Sequence, residues 1–357
     1  MSRIESPDNR VLQEDLERAA ALDLPIEALD GSRIFVTGAT GLIGSQLVKF
    51  LLCRNRICHC NTTVIIFARS KEKALKVFPY LEEEEHLEIV LGDISEPICY
   101  DGDIDYVIHG ASPTSSKYFV SHPVETIGAA VDGTRYVLEL AKQKQVKGVV
   151  YLSSLEVYGT PAEDAGMITE KDYGYIEPLS VRSSYSEGKR MVECLCASYA
   201  KEYDVPVKVA RLSQTFGAGV AYDDGRVFAE FARCAIEGKN IVLHTEGKTV
   251  RTYCYTIDAV TALLTILAKG QAGEAYNVTN MDTAISIYDM AKLVSGILPE
   301  SNIAVERDIP EDLASFGYNP EMIVKLDSTK LQKLGWKATV GLREMYERLI
   351  ESMSLVH

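Results

Sequence analysis

The sequence predicts an α/β protein: a doubly wound parallel sheet, with a smaller α/β substrate-binding lobe toward the C-terminus. Three observations predict it. Short β-branched and aromatic runs alternate with stretches of helical periodicity through residue 212. A glycine triplet follows at once on the first run. A tyrosine and a lysine four positions apart open a helix after the fifth.

Ile34-Phe35-Val36 reads as a buried strand, followed directly by Thr37-Gly38-Ala39-Thr40-Gly41-Leu42-Ile43-Gly44. Gly38 allows a sharp exit from the strand, and Gly41 lets a pyrophosphate approach bare backbone. Gly44 lets the next helix, Leu42 to about Leu52, sit close to the sheet. Thr40, Leu42 and Ile43 complete a cradle in which helix-start N–H groups face the phosphates. The strand before and the helix after are the context this motif requires. The spacing Gly-x-x-Gly-x-x-Gly resembles that of the extended short-chain dehydrogenases/reductases, which implies a Rossmann-like fold.

Val64-Ile65-Ile66-Phe67 is the second strand, and its exit is Ala68-Arg69-Ser70-Lys71. An acid at this exit would bind the adenosine ribose and exclude a 2′-phosphate. None is present, and Arg69, Lys71 and Lys73 cluster there, so NAD and NADP both remain open, with Arg69 a candidate cofactor contact. Glu88 to Leu91 is a third strand whose exit carries Asp93-Ile94; Asp93 resembles the extended-branch aspartate beside the adenine amino group. Tyr106-Val107-Ile108-His109 runs into Gly110-Ala111-Ser112, small residues where the chain passes close to the cofactor. His109 reads as a hydrogen-bonded structural histidine. A long helix follows from His122-Pro123 through Leu140.

Gly148 to Leu152 is a fifth strand ending in Ser153-Ser154-Leu155-Glu156-Val157-Tyr158-Gly159. Tyr185 and Lys189 then share one helix face. Unperturbed, a tyrosine titrates near pH ~10. An ammonium on the same face is expected to lower that value, so that a phenolate can take the proton of a substrate hydroxyl. Ser154 is placed to bond the same oxygen, and Lys189 to hold the nicotinamide ribose.

These stretches resemble the NAD-dependent epimerase/dehydratase family of sugar-nucleotide enzymes, from residue 32 to about 350. Ser154 to Gly159, Arg182 to Arg190, Asp224-Gly225-Arg226-Val227 and Gly247 to Tyr255 look most like UDP-glucuronate decarboxylases. The resemblance implies oxidation of sugar C4 by bound NAD, loss of carbon dioxide from the β-keto acid, and reduction of the ketone. It assigns Glu156 and Arg182 to the substrate end, with Gln214, Arg226 and Arg251 as further substrate contacts. An arginine suits a site that must hold a carboxylate.

The departures are specific. Leu155 stands where sugar 4,6-dehydratases carry a proton-donating aspartate, which disfavours that reaction. Ala130 replaces a familiar asparagine. Gln214 replaces another, and Ala218-Gly219-Val220 lacks the usual proline and arginine. Decarboxylase and 4-epimerase chemistry both stay open. An NADP-linked carbonyl reductase and a dinucleotide-sensing scaffold are the alternatives. The intact Ser154, Tyr185 and Lys189 argue against the scaffold.

The chain has 357 residues, is 46% hydrophobic and 25% charged, and carries a net charge of −14. That charge disfavours non-specific binding to nucleic acid or anionic membranes. No apolar run reaches membrane-spanning length, and the acidic N-terminus is unlike a signal peptide, so a cytoplasmic protein is expected. The eight cysteines are expected as free thiols. No metal site is expected; Cys58-His59-Cys60 lacks a second ligand pair. The organisation expected is a helical extension over 1–30, a dinucleotide-binding domain over 31–212 with returning segments near 250–280, and a substrate-binding lobe over most of 213–357. The resemblance also implies a homodimer formed through the two long helices.

Overall fold

The computed structural model describes residues 4–162, 165–298, 301–310 and 321–355. Its elements begin with α1 (Arg10–Ala20), β1 (Arg33–Thr37), α2 (Leu42–Cys58), β2 (Thr63–Ala68), α3 (Lys71–Val77), β3 (Leu87–Leu91) and β4 (Tyr106–His109). There follow α4 (Ser116–Ser121), α5 (Pro123–Gln143), β5 (Gly148–Ser154), β6 (Met167–Ile168), α6 (Ser183–Glu202), β7 (Val207–Leu212) and β8 (Gln214–Phe216). Then come α7 (Val227–Glu237), β9 (Ile241–Leu243), β10 (Val250–Tyr255), α8 (Thr256–Lys269), β11 (Ala275–Val278) and β12 (Asn280–Ser286). The chain closes with α9 (Ile287–Ser295), β13 (Val305–Arg307), β14 (Ile323–Leu326), α10 (Thr329–Gln332) and α11 (Leu342–Ser354).

The central sheet has seven parallel strands in the order β11-β7-β5-β4-β1-β2-β3. Its inner strands β1, β4 and β5 are largely apolar on both faces, as covered strands must be. In β1, Ile34 and Val36 join the core beneath α2 and α8, while Phe35 joins the core beneath α5 and α6. Val149 and Tyr151 of β5 face the second core, and Val150 faces the first.

Strand order reverses between β1 and β4, where a doubly wound sheet opens a crevice at its C-terminal edge. The two strand exits touch there. A Cβ on Gly38, whose φ is +71°, would stand 2.6 Å from the carbonyl carbon of Gly110. A Cβ on Gly44 would stand 2.2 Å from the Gly38 carbonyl oxygen, so only glycine lets α2 approach this closely.

A second, five-stranded sheet holds β12-β10-β14-β6, with β8 also paired to β10. A small pair, β13-β9, lies beyond it. The N-terminal helix folds back on its own chain, packing on α2, α8 and α11. Asn9 caps it, its side chain accepting from Leu12 N–H at 3.0 Å. Helix α2 runs six residues beyond Leu52 and ends at His59 in the left-handed region, with φ 57°. Among the described residues no helix is long and apolar enough to cross a membrane.

Candidate active site

Two groups of predicted residues meet at the C-terminal edge of the central sheet. The first is the glycine cradle. Helix α2 starts at Gly41 with no side-chain cap, so its first amides have no side-chain acceptor. A Cβ on Gly41 would meet only the Gly38 oxygen, at 3.4 Å, and the residue is exposed. Uncapped amides over open, bare backbone fit a pyrophosphate. Thr40, Leu42 and Ile43 lie around this turn.

Thr37 Oγ1 accepts from the Ala111 N–H at 3.2 Å and pairs with His109 Nδ1 at 2.7 Å. His109 Nε2 meets Thr134 Oγ1 at 3.0 Å. Burial pushes the His109 pKa down to about 3, with the Lys189 charge adding to the shift. The imidazole is therefore a neutral strut between β1, β4 and α5. Ser112 donates to the Pro113 carbonyl at 3.3 Å.

Ile94 packs on α5 where a Cβ on Gly133 would come within 3.0 Å of it. Asp93 accepts from Ser95 N–H at 2.9 Å and from Ser95 Oγ at 2.6 Å. These bonds hold its carboxyl below the usual range, with a further lowering from Arg69. Arg69 itself is exposed.

The second group stands at the end of β5. Ser154 stands beside Tyr185, and its hydroxyl favours the phenolate. Burial outweighs it and pushes Tyr185 up to about 12. The expectation that Lys189 would lower Tyr185 is corrected here. Lys189 Nζ donates to the Leu152 carbonyl at 2.8 Å and lies 5.6 Å from the Tyr185 ring centre. Its own pKa is pushed down to about 8 by burial, against an upward pull from Glu193. Proximity on one helix face did not make an ion pair, because a carbonyl at the strand end took the ammonium.

Glu156 Oε2 accepts from Ser186 Oγ at 3.2 Å and faces Arg182 Nη1 at 3.5 Å. Both partners of this pair keep about a quarter of their side chains exposed, at 27% and 26%.

The remaining candidates lie on the second lobe. Gln214 opens β8, and β10 pairs Tyr253 opposite it. Arg251, on the same strand, has a buried Nε without a partner and its Nη2 3.8 Å from Met322 Sδ. Arg226 is turned to its own loop: its guanidinium forks onto Asp224 at 2.6 and 2.9 Å and covers the Phe228 ring. No bond joins these three residues to one another or to Tyr185.

Sequence reasoning missed Phe119, whose ring stacks on Tyr185 at 4.3 Å with the planes 11° apart. Nothing in a short helix 66 positions upstream signals that contact. It also missed Glu193, which accepts from Ser153 Oγ at 2.6 Å and binds the buried Arg211. Its position one helical turn after Lys189 was the available signal.

The profile of the NAD dependent epimerase/dehydratase family matches residues 34–279. The chain belongs to this family. Its members are NAD-dependent, and NAD fits the uncapped cradle. UDP-glucuronic acid decarboxylase 6 of Arabidopsis thaliana is 30% identical over 316 residues, covering 87% of this chain and 86% of that protein. UDP-glucuronic acid decarboxylase 1 of Danio rerio is 28% identical over 334 residues, covering 91% and 73%. Among solved structures, UDP-glucose 4-epimerase of Thermotoga maritima with UDP-glucose superposes with a TM-score of 0.73 at 21% identity, covering 91% and 99% of the two chains. UDP-glucuronic acid 4-epimerase from Bacillus cereus with NAD gives 0.72 at 22%, with the same coverage. These structures share the fold of this member of the family.

Proposed function

We propose that this protein is an NAD-dependent nucleotide-sugar enzyme that oxidises sugar C4 transiently, with decarboxylation of a nucleotide-linked glucuronate as its reaction. One observation carries the reading: Ser154, Glu156 and Arg182 surround Tyr185 at the end of β5, with Glu156 Oε2 3.5 Å from Arg182 Nη1. The decarboxylase relatives, similar over 87% of the chain, support it.

Bound NAD would supply a hydride acceptor for C4 and return the hydride at the end. The protein's own residues do the rest. Tyr185 takes the proton of the C4 hydroxyl, and Ser154 holds that oxygen in place. Lys189 would hold the cofactor ribose and supply a positive charge to it. Arg182 holds the sugar carboxylate. At 3.5 Å, its pairing with Glu156 is long and open enough for a substrate carboxylate to compete. Glu156, released, faces the sugar. Gln214 and Arg251 take the diphosphate side, with Gly38 to Gly44, Arg69, Asp93, Ile94, Ala111 and Ser112 lining the dinucleotide. Arg226 joins the substrate only if it leaves Asp224. Most of 213–357 serves as the substrate-binding lobe in this reading, with β11 returning to the dinucleotide domain.

Mass spectrometry of the protein incubated with a panel of nucleotide sugars tests this. Loss of carbon dioxide from UDP-glucuronate without added cofactor is the expected result. An unchanged mass with a changed sugar would establish a 4-epimerase instead. A requirement for NADPH and a carbonyl compound would defeat the proposal.

A homodimer through α5 and α6 belongs to the same reading, supported by the exposed Val124 and Ile127 on one helix and Met191 on the other. Sedimentation reads it directly. A cytoplasmic location is supported by the free state of all eight cysteines, and fractionation of cells checks it.

A further inference from the structure

The N-terminal helix reaches one particular loop, residues 217–220, by two hydrogen-bonded routes. In the first, Asn9 Nδ2 donates to Ser352 Oγ at 2.7 Å, and the Gly219 N–H donates to the same oxygen at 2.9 Å. In the second, Tyr255 Oη donates to Asp15 at 2.5 Å and accepts from the Ala218 N–H at 3.3 Å. Arg348 holds the other oxygen of Asp15 at 2.7 Å. All four side chains that link the loop to the helix are buried.

The loop is equally tied to the cofactor helix. Gln46, in the second turn of α2, donates to the Ala218 carbonyl at 2.6 Å. Gly219, with φ +83°, leaves its Cβ direction to Gln46 and to Leu12 of α1, at 3.0 and 3.3 Å. Gly217 lies so close to the Tyr255 ring that a Cβ would come within 2.3 Å of it. Both central amides and one carbonyl of the loop are thus satisfied by side chains from α1's partners, from α2 and from α11. With these polar groups matched by buried side chains, the loop has one geometry.

That geometry matters because of where the loop sits in the chain. It leaves β8, which opens with Gln214, and it leads into Asp224-Gly225-Arg226. We propose that the N-terminal arm, residues 5–20, is a positioning element of the substrate site, bracing loop 217–220 so that Gln214 is held at a set distance from the dinucleotide cradle. The inference rests on the proposed function in taking Gln214 as a nucleotide-sugar contact. It gives the extension a role inside its own subunit. The rest of the arm is anchored to match: Glu5 is gripped by Arg56 through two bonds of 2.9 Å, and the Tyr80 hydroxyl donates to the Glu5 carbonyl at 3.1 Å.

The experiment uses the full chain and three variants: Ser352→Ala, Tyr255→Phe, and Ser352→Thr, which keeps the hydroxyl. Amide hydrogen exchange over 217–220 reads the brace, and calorimetric titration with UDP, and with dTDP in parallel, reads the site. The first two variants should speed exchange at Ala218 and Gly219 at least about tenfold and weaken nucleoside diphosphate binding about tenfold, with NAD affinity within about threefold. Ser352→Thr should restore both. Faster exchange with unchanged nucleotide affinity would overturn the positioning role and leave a structural clasp. Unchanged exchange would overturn the brace itself. Should a variant fail to fold, Asn9→Ala loosens the same clasp from the arm side and is read the same way. A wild-type protein that binds neither UDP nor dTDP would overturn the functional reading first, and this inference with it.

Discussion

Tyr185 and Lys189 lie one turn apart on α6, yet the lysine ammonium is bonded to the Leu152 carbonyl and not to the phenol. Lys189 is therefore held on a fixed perch at the end of β5, 5.6 Å from the Tyr185 ring centre. Burial pushes Tyr185 up to about 12; Ser154 and Arg182 favour the phenolate, and Glu156 opposes it.

Replacing Tyr185 with Phe should lower turnover by about 10²–10⁴-fold while NAD binding stays within about threefold. Phe119 stacks on the ring and not on the hydroxyl, so the variant ring keeps its seat. Single-turnover rates and calorimetry separate the two effects. Turnover near the wild-type rate would remove Tyr185 as the acid/base.

Activity should have an alkaline limb near pH 8, where Lys189 loses its proton. Glu193 favours the ammonium, so Glu193→Gln should move that limb to lower pH. The pH dependence of kcat/KM measures it. A limb that stays in place would mean that Glu193 serves only Arg211 and Ser153.

His109 should make the protein acid-sensitive. Its folded pKa lies near 3, well below the unfolded value, so the unfolded chain binds the proton more readily. The stabilisation is full above about pH 6.5 and fades as pH falls toward 3. At about 1.4 kcal/mol per unit, roughly 2–3 kcal/mol is lost between pH 6 and pH 4. His109→Gln, which does not titrate, should lose correspondingly less over that range in urea denaturation.

Gly44→Ala should weaken NAD binding by more than about tenfold and lower the thermal midpoint by several degrees, since its Cβ would lie 2.2 Å from a backbone oxygen. Gly166→Ala, in a loop with nothing within 4 Å of the new Cβ, is the control. It should leave NAD binding unchanged and raise stability by about 0.4–1 kcal/mol. Equal behaviour of the two variants would show that the close approach at Gly38 is not needed.

How much of this was legible in the sequence follows from the range of each interaction. The strand-turn-helix at Ile34 to Gly44 is written in neighbouring residues, because φ/ψ preference and apolar period act within one element. The shared face of Tyr185 and Lys189 is likewise a property of one helix. So are the covered strands, whose unbroken apolar runs require helices on both sides. The target of the Lys189 ammonium was not written there: the Leu152 carbonyl lies 37 positions away, and it competed successfully with the phenol. Arg226 shows the converse, its loop supplying Asp224 two positions back as a nearer partner than any ligand. The clasp of Asn9 on Ser352 spans 343 positions. By itself the sequence determined the fold, the family and the residue types of the site. The tertiary structure alone decided which charge meets which partner, because that choice depends on distances between elements that no local pattern encodes.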